Sequence, residues 1–380
     1  MIQELKLTNF TTFAKAHFKF GSNLNIIVGN NGSGKTHLLK AIYAMSKFMR
    51  ELQKKDGNQF ENRCLVEASQ EKLKSFFSVF NVADFGDLLN WDAVPHDKKI
   101  TGSVAELSNP SSLKKLFLGK MEASIDMRTA LGDEAYDYQA RFSMEEACFS
   151  SKRAKNKGMF PLQALPKCIF FPCRELLTIF PHYLALRQEF ILPYDSTYDD
   201  TIGKLGMPQR NGLSMMLKSI ISSLESSING KIILKNERFY YHGKDMPAGL
   251  NWEIDMIAEG WRKIGMLLQL ILGGSLREGT ALLWDEPEAN LNPQLIQLIA
   301  KIIVELSKLD IQIFITTHSL FLLNELEIVL AQQKIKEGVR FFDLRKGKAP
   351  QQGDAFSALK NTLLLDEALM QSDRYMAEEV

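Results

Sequence analysis

Four cysteines in 380 residues, at Cys64, Cys148, Cys168 and Cys173, are too few for a disulfide framework and lack the paired spacing of a zinc site. Reduced, structural thiols are the expectation. The chain also lacks an excess of either charge. Its 46 basic and 45 acidic side chains leave a formal net charge of +1, which excludes nucleic-acid binding by bulk charge alone. Long apolar runs are missing too: the stretches around Ile264 to Gly274 and Leu295 to Leu306 are too short, or too interrupted by Lys and Glu, to span a bilayer. The opening Met1-Ile-Gln-Glu-Leu-Lys-Leu7 alternates like a strand and shows no basic stretch followed by an apolar run, so no export signal is visible. A cytoplasmic protein with no membrane partner is expected. Internal repeats and low-complexity tails are likewise absent from the pattern.

What is present is a globular composition, 45% hydrophobic and 24% charged, enough to build a sizeable core. The first residues read as strands: Ile2, Leu5 and Leu7, then Ala16 to Phe20, then the buried run Leu24 to Val28 ending at Gly29. Leu38, Leu39, Ile42, Met45 and Phe48 follow at helical spacing. From Glu51 to Pro166 the pattern is mixed, with a helical stretch near Gln70 to Phe80 and strand-like pieces at Glu122 to Arg128 and Tyr136 to Ser143. Lys167 to Pro172 is a second buried strand. Leu176 to Ile228 is mainly helical, with Leu213, Met215, Met216 and Ile220 on one face. A hairpin turns at Asn236-Glu237, and Ile254 to Leu272 is a helix. Ala281 to Trp284 and Ile311 to Thr316 read as parallel core strands joined by a helix over Pro293 to Lys308.

Three short motifs carry chemistry. Gly29-Asn30-Asn31-Gly32-Ser33-Gly34-Lys35-Thr36 fits the phosphate-loop pattern between a buried strand and an amphipathic helix. The glycines let consecutive N–H groups turn toward phosphate oxygens at the positive end of the helix, Lys35 reaches the β- and γ-phosphates, and the Thr36 hydroxyl ligates Mg²⁺. A chance Gly/Asn-rich turn is the competing reading. Leu282-Leu-Trp-Asp285-Glu286-Pro287 is an apolar strand ending in two carboxylates, Asp285 placed to hold Mg²⁺ and Glu286 to polarise the attacking water. An acidic first turn of a helix explains the same pair without chemistry. His318 follows the next strand, whose place beside that of Asp285 in a parallel sheet makes it a γ-phosphate sensor; capping or packing is the alternative role.

Together these residues resemble an ABC-type ATPase of the class that contains SMC and Rad50 proteins, RecF and the ATPase modules of OLD-family nucleases. The resemblance rests on Leu5-Lys-Leu-Thr-Asn-Phe10, the phosphate loop (Walker A), Asp285-Glu-Pro-Glu-Ala-Asn-Leu-Asn-Pro293 (Walker B and D-loop) and Thr316-Thr-His318-Ser319. It frames the chain over residues 1 to 50 and 250 to 325 and leaves the middle unexplained. It implies an α/β P-loop NTPase with an ABC-type head: a mixed central sheet, an antiparallel β lobe and a helical arm insertion. The corresponding division is 1–50 (lobe I), 51–175 (β lobe), 176–250 (arm and hairpin), 251–340 (lobe II) and 341–380 (tail).

The resemblance implies ATP and Mg²⁺ as ligands, hydrolysis to ADP and phosphate, and a nucleotide sandwiched between two copies of the chain. The signature segment is Ile257-Ala258-Glu259-Gly260-Trp261-Arg262-Lys263, with Gly260 approaching phosphate; Ala258 stands where the family has serine, and Thr11 where it often has a basic residue. No Q-loop glutamine stands out. Phe171-Pro-Cys-Arg174-Glu175 sits at a strand end comparable to that of the arm-bearing relatives, with Arg174 either reaching phosphate or pairing with Glu175. The long stretch between Thr36 and Asp285 argues against a compact transport ATPase, and too few residues follow His318 for a TOPRIM nuclease. A nuclease or effector would therefore be another chain, in a DNA-transaction or phage-defence setting. DNA contact would come from Lys152, Arg153, Lys155 and Lys157, or from the looser set Lys334 to Lys348, although a solvated loop accounts for either. A regulatory ATP-binding module without hydrolysis is the second functional class, and a transporter subunit the third.

Overall fold

The computed structural model describes residues 1–56, 78–80, 123–142, 147–153, 164–190, 192–360 and 362–378. In chain order these form β1 (Ile2–Phe10), β2 (Phe13–Lys19), β3 (Leu24–Gly29), α1 (Lys35–Asp56), β4 (Ala123–Leu131), β5 (Glu134–Phe142), β6 (Ala147–Arg153) and β7 (Lys167–Phe171). Then come α2 (Tyr183–Glu189), α3 (Ser196–Leu205), α4 (Met215–Ser227), β8 (Gly230–Lys235), β9 (Arg238–Gly243), β10 (Trp252–Glu253) and α5 (Glu259–Leu272). The chain ends with β11 (Thr280–Asp285), α6 (Pro293–Ser307), β12 (Gln312–Thr317), α7 (Leu320–Gln332), β13 (Val339–Leu344), β14 (Gln351–Gly353) and α8 (Leu363–Ala377). Two compact units result, one from residues 1–167 with 337–380 and one from residues 168–336.

The first unit is built on an antiparallel sheet of order β2-β1-β4-β5-β6. The strand-like piece at Glu122 to Arg128 therefore pairs with the opening strand as β4, and its alternation places Ala123, Ile125 and Met127 inside. In β1 the buried positions run Ile2, Leu5, Leu7, which breaks strict alternation after Ile2. The β1–β4 register shifts between Ile2 and Glu4, and such a bulge turns the strand so that both Ile2 and Leu5 face the core. The predicted helix stripe Leu38, Leu39, Ile42, Met45 and Phe48 is wholly buried in α1. The helical reading of Gln70 to Phe80 lies almost entirely outside the described residues.

β3 pairs in parallel with β13, which pairs antiparallel with β14. Every β3 residue is buried, including the polar Asn25. The Asn25 Oδ1 accepts from the Gly21 N–H at 2.8 Å, and its amide nitrogen donates to the Gly21 carbonyl at 3.1 Å. One side chain thus satisfies both peptide groups of a buried turn that leads into the strand.

In the second unit β11 and β12 run parallel, Asp285 opposite Thr316, with β7 on the other side of β11 and α6 connecting the pair. Asn292 caps α6 by accepting from the Leu295 N–H at 2.9 Å, and Pro293 occupies the first helical position. The expected hairpin is β8–β9, turning at Asn236 and Glu237, both with positive φ. The segment read as a helical arm folds as the short helices α2, α3 and α4. Its expected apolar face needs correction: Leu217, Ile220 and Leu224 are buried, whereas Met215 is 87% exposed and Met216 is also exposed. The cause is the cap at Ser214, which makes Met215 and Met216 the first two helical residues, ahead of the turn whose spacing reaches the core.

Replacing Asn25 by Ala should lower unfolding free energy by about 2 kcal/mol, because two buried peptide groups lose their partner. Urea denaturation checks this, and an unchanged midpoint would show that the turn finds other partners.

Candidate active site

The first unit presents the phosphate loop. β3 ends at Gly29 and α1 begins at Lys35, so the eight-residue motif spans a strand–loop–helix junction as its sequence context requires. Gly29, Gly32 and Gly34 have φ of +153°, +77° and +96°. A Cβ on Gly29 would lie 2.5 Å from the Leu344 carbonyl oxygen, and one on Gly34 would lie 2.8 Å from the Phe13 ring. Both the backbone conformation and the packing therefore demand glycine at these two positions. Asn30, Asn31 and Gly32 are exposed, and Thr36 is half-buried at the start of α1. Lys35 is 6% exposed, and its Nζ donates to the carbonyls of Gly29 at 2.7 Å and Asn30 at 3.2 Å. Its charge is thus drawn over the loop by main-chain carbonyls.

Around the same loop the hydroxyls of Thr11, Thr12 and Ser33 are buried without a hydrogen-bond partner. Buried hydroxyls are seldom left unpaired. A glycine cradle, a helix N-terminus, a cation donating to loop carbonyls and orphaned donors are the donor set that a polyphosphate fits.

The second unit presents the acidic strand end. Asp285 closes β11, almost fully buried, and its Oδ1 accepts from Thr316 Oγ1 on the adjacent strand at 2.5 Å. Glu286 then takes φ +48°, left-handed for a non-glycine residue, a conformation that costs about 1 kcal/mol or more. Its N–H donates to the Thr316 carbonyl at 3.1 Å. The turn throws the Glu286 carboxylate to His318: Oε1 is 3.1 Å from Nδ1. The other oxygen, Oε2, accepts from the Cys173 thiol at 3.6 Å. Glu288 is buried beside it and receives Thr317 Oγ1 at 2.6 Å and the His318 N–H at 3.4 Å, so it fixes the turn after β12. Burial holds the Glu288 carboxyl above the usual carboxylate range.

The sequence-predicted partners Asp285, Glu286 and His318 thus meet at one end of the β11–β12 pair. Four contributors were not foreseen: Thr316, Cys173, Glu288 and Lys263. Thr316, Glu288 and Lys263 lie inside the quoted motifs but carried no role, and Cys173 was read as a structural thiol. Only pairing β12 to β11 in register exposes the Thr316 contact. Lys263, on α5, is 2% exposed, and its Nζ donates to the carbonyls of Glu286 at 2.7 Å and Ala289 at 3.3 Å. Burial pulls its pKa down from the usual lysine value, against the pull of the nearby acidic groups.

At the signature segment, Ala258 caps α5 without a side-chain hydrogen bond. A Cβ on Gly260 would lie 2.9 Å from the Asn290 carbonyl oxygen, so packing against the turn after β11 itself requires that glycine. The Arg174–Glu175 pairing needs correction. Glu175 instead accepts from the N–H groups of Leu177 at 2.9 Å and Thr178 at 3.3 Å and lies 3.4 Å from Arg262 on α5, while Arg174 is exposed. A carboxylate so placed serves its own turn before its sequence neighbour. The side chains of Lys152, Arg153, Lys155 and Lys157 lie outside the described residues. In the second basic set, Arg340 is 2.7 Å from Asp354 and Arg345 is 2.8 Å from Asp343, which neutralises both.

Two AAA-domain families match the chain: one described as "AAA domain" over residues 4–154, and one described as "AAA domain, putative AbiEii toxin, Type IV TA system" over residues 220–324. The DNA replication and repair protein RecF of Clostridioides difficile (strain 630) is 40% identical over 45 residues, and that of Bacillus subtilis (strain 168) is 42% identical over 45 residues. Each match covers 12% of this chain and 12% of RecF, so the likeness to RecF is confined to a short segment. An Smc head bound to the C-winged helix domain of ScpA superposes with a TM-score of 0.53 at 13% identity, covering 94% of this chain and 99% of the head. An Smc head with an extended coiled coil, bound to the C-terminal domain of ScpA and derived from Pyrococcus furiosus, gives 0.50 at 12% identity, covering 98% and 99%. Fold and motifs together define a P-loop ATPase of ABC type. More narrowly, the chain shares its fold with Smc heads and a short segment with RecF.

Burial, and after it the neighbouring carboxylates, push the Cys173 thiol up to about 11 from an ordinary 9.0, which leaves roughly a hundredfold less thiolate at pH 8. Iodoacetamide should therefore label Cys173 about a hundredfold more slowly than a free thiol at that pH. Peptide-resolved mass spectrometry reads the rate, and labelling at the free-thiol rate would contradict the thiol's place beside Glu286.

Proposed function

We propose that the chain binds Mg²⁺-ATP, hydrolyses it to ADP and phosphate, and uses the nucleotide state to switch an assembly of two or more copies. The observation that carries this reading is the 3.1 Å contact between Glu286 Oε1 and His318 Nδ1 beside a strand-end aspartate. A carboxylate held by backbone strain at a strand end, touching an imidazole, is built to orient and deprotonate a water.

Residues 29 to 36 cradle the phosphates, Gly29, Asn30, Asn31, Gly32, Ser33 and Gly34 through backbone groups and the Ser33 hydroxyl. Lys35 leaves its two carbonyls for the β- and γ-phosphate oxygens, which are stronger acceptors for its charge. Thr36 in the first unit and Asp285 in the second are each suited to a metal ion, and Mg²⁺, when bound, would neutralise phosphate charge. The Thr316 hydrogen bond orients Asp285 for that task. Glu286 accepts the proton of the attacking water, and His318 donates to the γ-phosphate and reports its presence. Gly260 and the α5 N-terminus present backbone N–H groups to the nucleotide of a second copy.

The client is DNA or a separately encoded nuclease or effector, in DNA transactions or phage defence. Support comes from the description of RecF as a replication and repair protein, from the family description that names a toxin–antitoxin system, and from ScpA as partner of the Smc heads. Among the described residues no helix is long and apolar enough to cross a membrane. One observation favours a second reading, a regulatory module that binds ATP without turnover: Ala258 offers no hydroxyl at the α5 cap. Steady-state hydrolysis assays with and without duplex DNA separate the two.

Glu286→Gln should lower kcat by about a hundredfold or more while retaining ATP; turnover at the wild-type rate would remove Glu286 from the catalytic role. Lys35→Ala should abolish ATP binding in equilibrium titration, and wild-type affinity in that variant would remove the phosphate loop from the account.

A further inference from the structure

The second unit buries a lysine to which the nucleotide chemistry assigns no task. An ammonium taken out of water costs several kcal/mol unless its donors are met and charges of opposite sign stand near. Lys263 meets its donors with main-chain carbonyls, and the one at 2.7 Å belongs to Glu286. The second, of Ala289 at 3.3 Å, lies in the same turn. This is a costly way to stabilise a turn that Asn292 and Pro293 already end with a good helix cap.

Its effect on Glu286 is specific. That residue holds φ +48°, and its N–H is tied to Thr316 on β12 while its carbonyl is tied to Lys263 on α5. Both peptide groups flanking the strained α-carbon are therefore anchored to different elements. Neighbouring positions on α5 grip the same turn. Glu259 Oε1 accepts from the Asn290 side-chain amide at 2.8 Å, and Gly260 leaves room for the Asn290 carbonyl. Glu259 and Lys263 are one helical turn apart on one face of α5.

We infer that Lys263 is a positioning residue for Glu286: by holding its carbonyl, it maintains the left-handed backbone that directs the carboxylate to His318. The inference rests on Glu286 as the group acting on water, and it adds a requirement that the nucleotide motifs do not contain. Lys263→Met keeps an unbranched side chain one atom shorter and removes the donor. It should lower kcat about thirtyfold with the KM for ATP changed less than about twofold, since misplacement of a catalytic group by a fraction of an ångström costs rate and not ground-state binding. Lys263→Arg retains a donor and should recover at least about threefold of that loss. In the Glu286→Gln background the Met substitution should add less than about twofold, because the group through which it acts is already gone.

Wild-type kcat in the Met variant overturns the inference, as does a full thirtyfold further loss in the double variant. So does a joint fall of kcat, ATP affinity and melting temperature, which marks a merely structural lysine. Should Lys263→Met fail to fold, Lys263→Arg carries the same test, with kcat reduced and KM retained as the supporting result. Normal turnover in Glu286→Gln alone instead defeats the catalytic assignment. In that case a crystal structure of the position-263 variant decides: Glu286 leaving positive φ and losing His318 supports the positioning role, and retention of both overturns it.

Discussion

β11 and β12 are buried along their whole length, and so is β3, which means that none of their interior side chains is available for chemistry. A strand packed on both faces can place a reactive group only where it stops. The rest of the site depends on this constraint. Gly29 is the last residue of β3 and the first of the phosphate loop; Asp285 is the last of β11; Thr316 and Thr317 are the last of β12 and hand over to His318. Gly29, Asp285, Glu286, Thr316 and His318 each lie within one or two residues of a strand's carboxyl end. The core of each unit sets where its chemistry begins.

This is also why so much of the site was legible. A run such as Leu24 to Val28 or Ala281 to Trp284 announces burial by being apolar throughout, and the abrupt change at its end announces a site. Spacing then ordered the groups: the parallel pairing of β11 with β12 is the one implied by two apolar runs with a helix between them, while the register that sets Asp285 opposite Thr316 comes from the structure. What remained hidden were contacts whose partners are distant in sequence and ordinary in type. Nothing about a cysteine after Phe171-Pro172, or a lysine in the second turn of a helix, distinguishes it until the strand and helix lie beside the turn after β11. Met215 and Met216 mislead for a related reason. Apolar periodicity does not see that a cap at Ser214 makes them the first two helical residues.

The glycines show how one residue type answers two different demands. At Gly34 the backbone is left-handed and the Phe13 ring occupies the space of a Cβ, so conformation and packing agree. At Gly260 the backbone is helical, and only the Asn290 carbonyl excludes a side chain. Sequence reading assigned Gly260 to phosphate approach alone. Close packing of α5 on the turn after β11 is an independent reason for the same glycine, and it ties the start of that helix to the turn that begins at Glu286.

Charge follows the same local logic. Asp285, Glu286 and Glu288 bring three carboxylates to one strand end, which in isolation would repel one another and destabilise the fold. Lys263 is sunk beneath them, two threonine hydroxyls bond Asp285 and Glu288, and the His318 ring and backbone N–H contact Glu286 and Glu288. The balance is incomplete: burial raises the Glu288 pKa, and one of its oxygens has no partner. A strand end that remains short of positive charge is suited to receive a cation with its substrate. A net charge of +1 over the whole chain therefore hides two opposite local charges, a buried lysine donating to carbonyls in the phosphate loop and an acidic cluster at the β11 end. Each suits a ligand of opposite sign, an anion at the first and a cation at the second, so a near-neutral chain can still carry two strongly charged local sites.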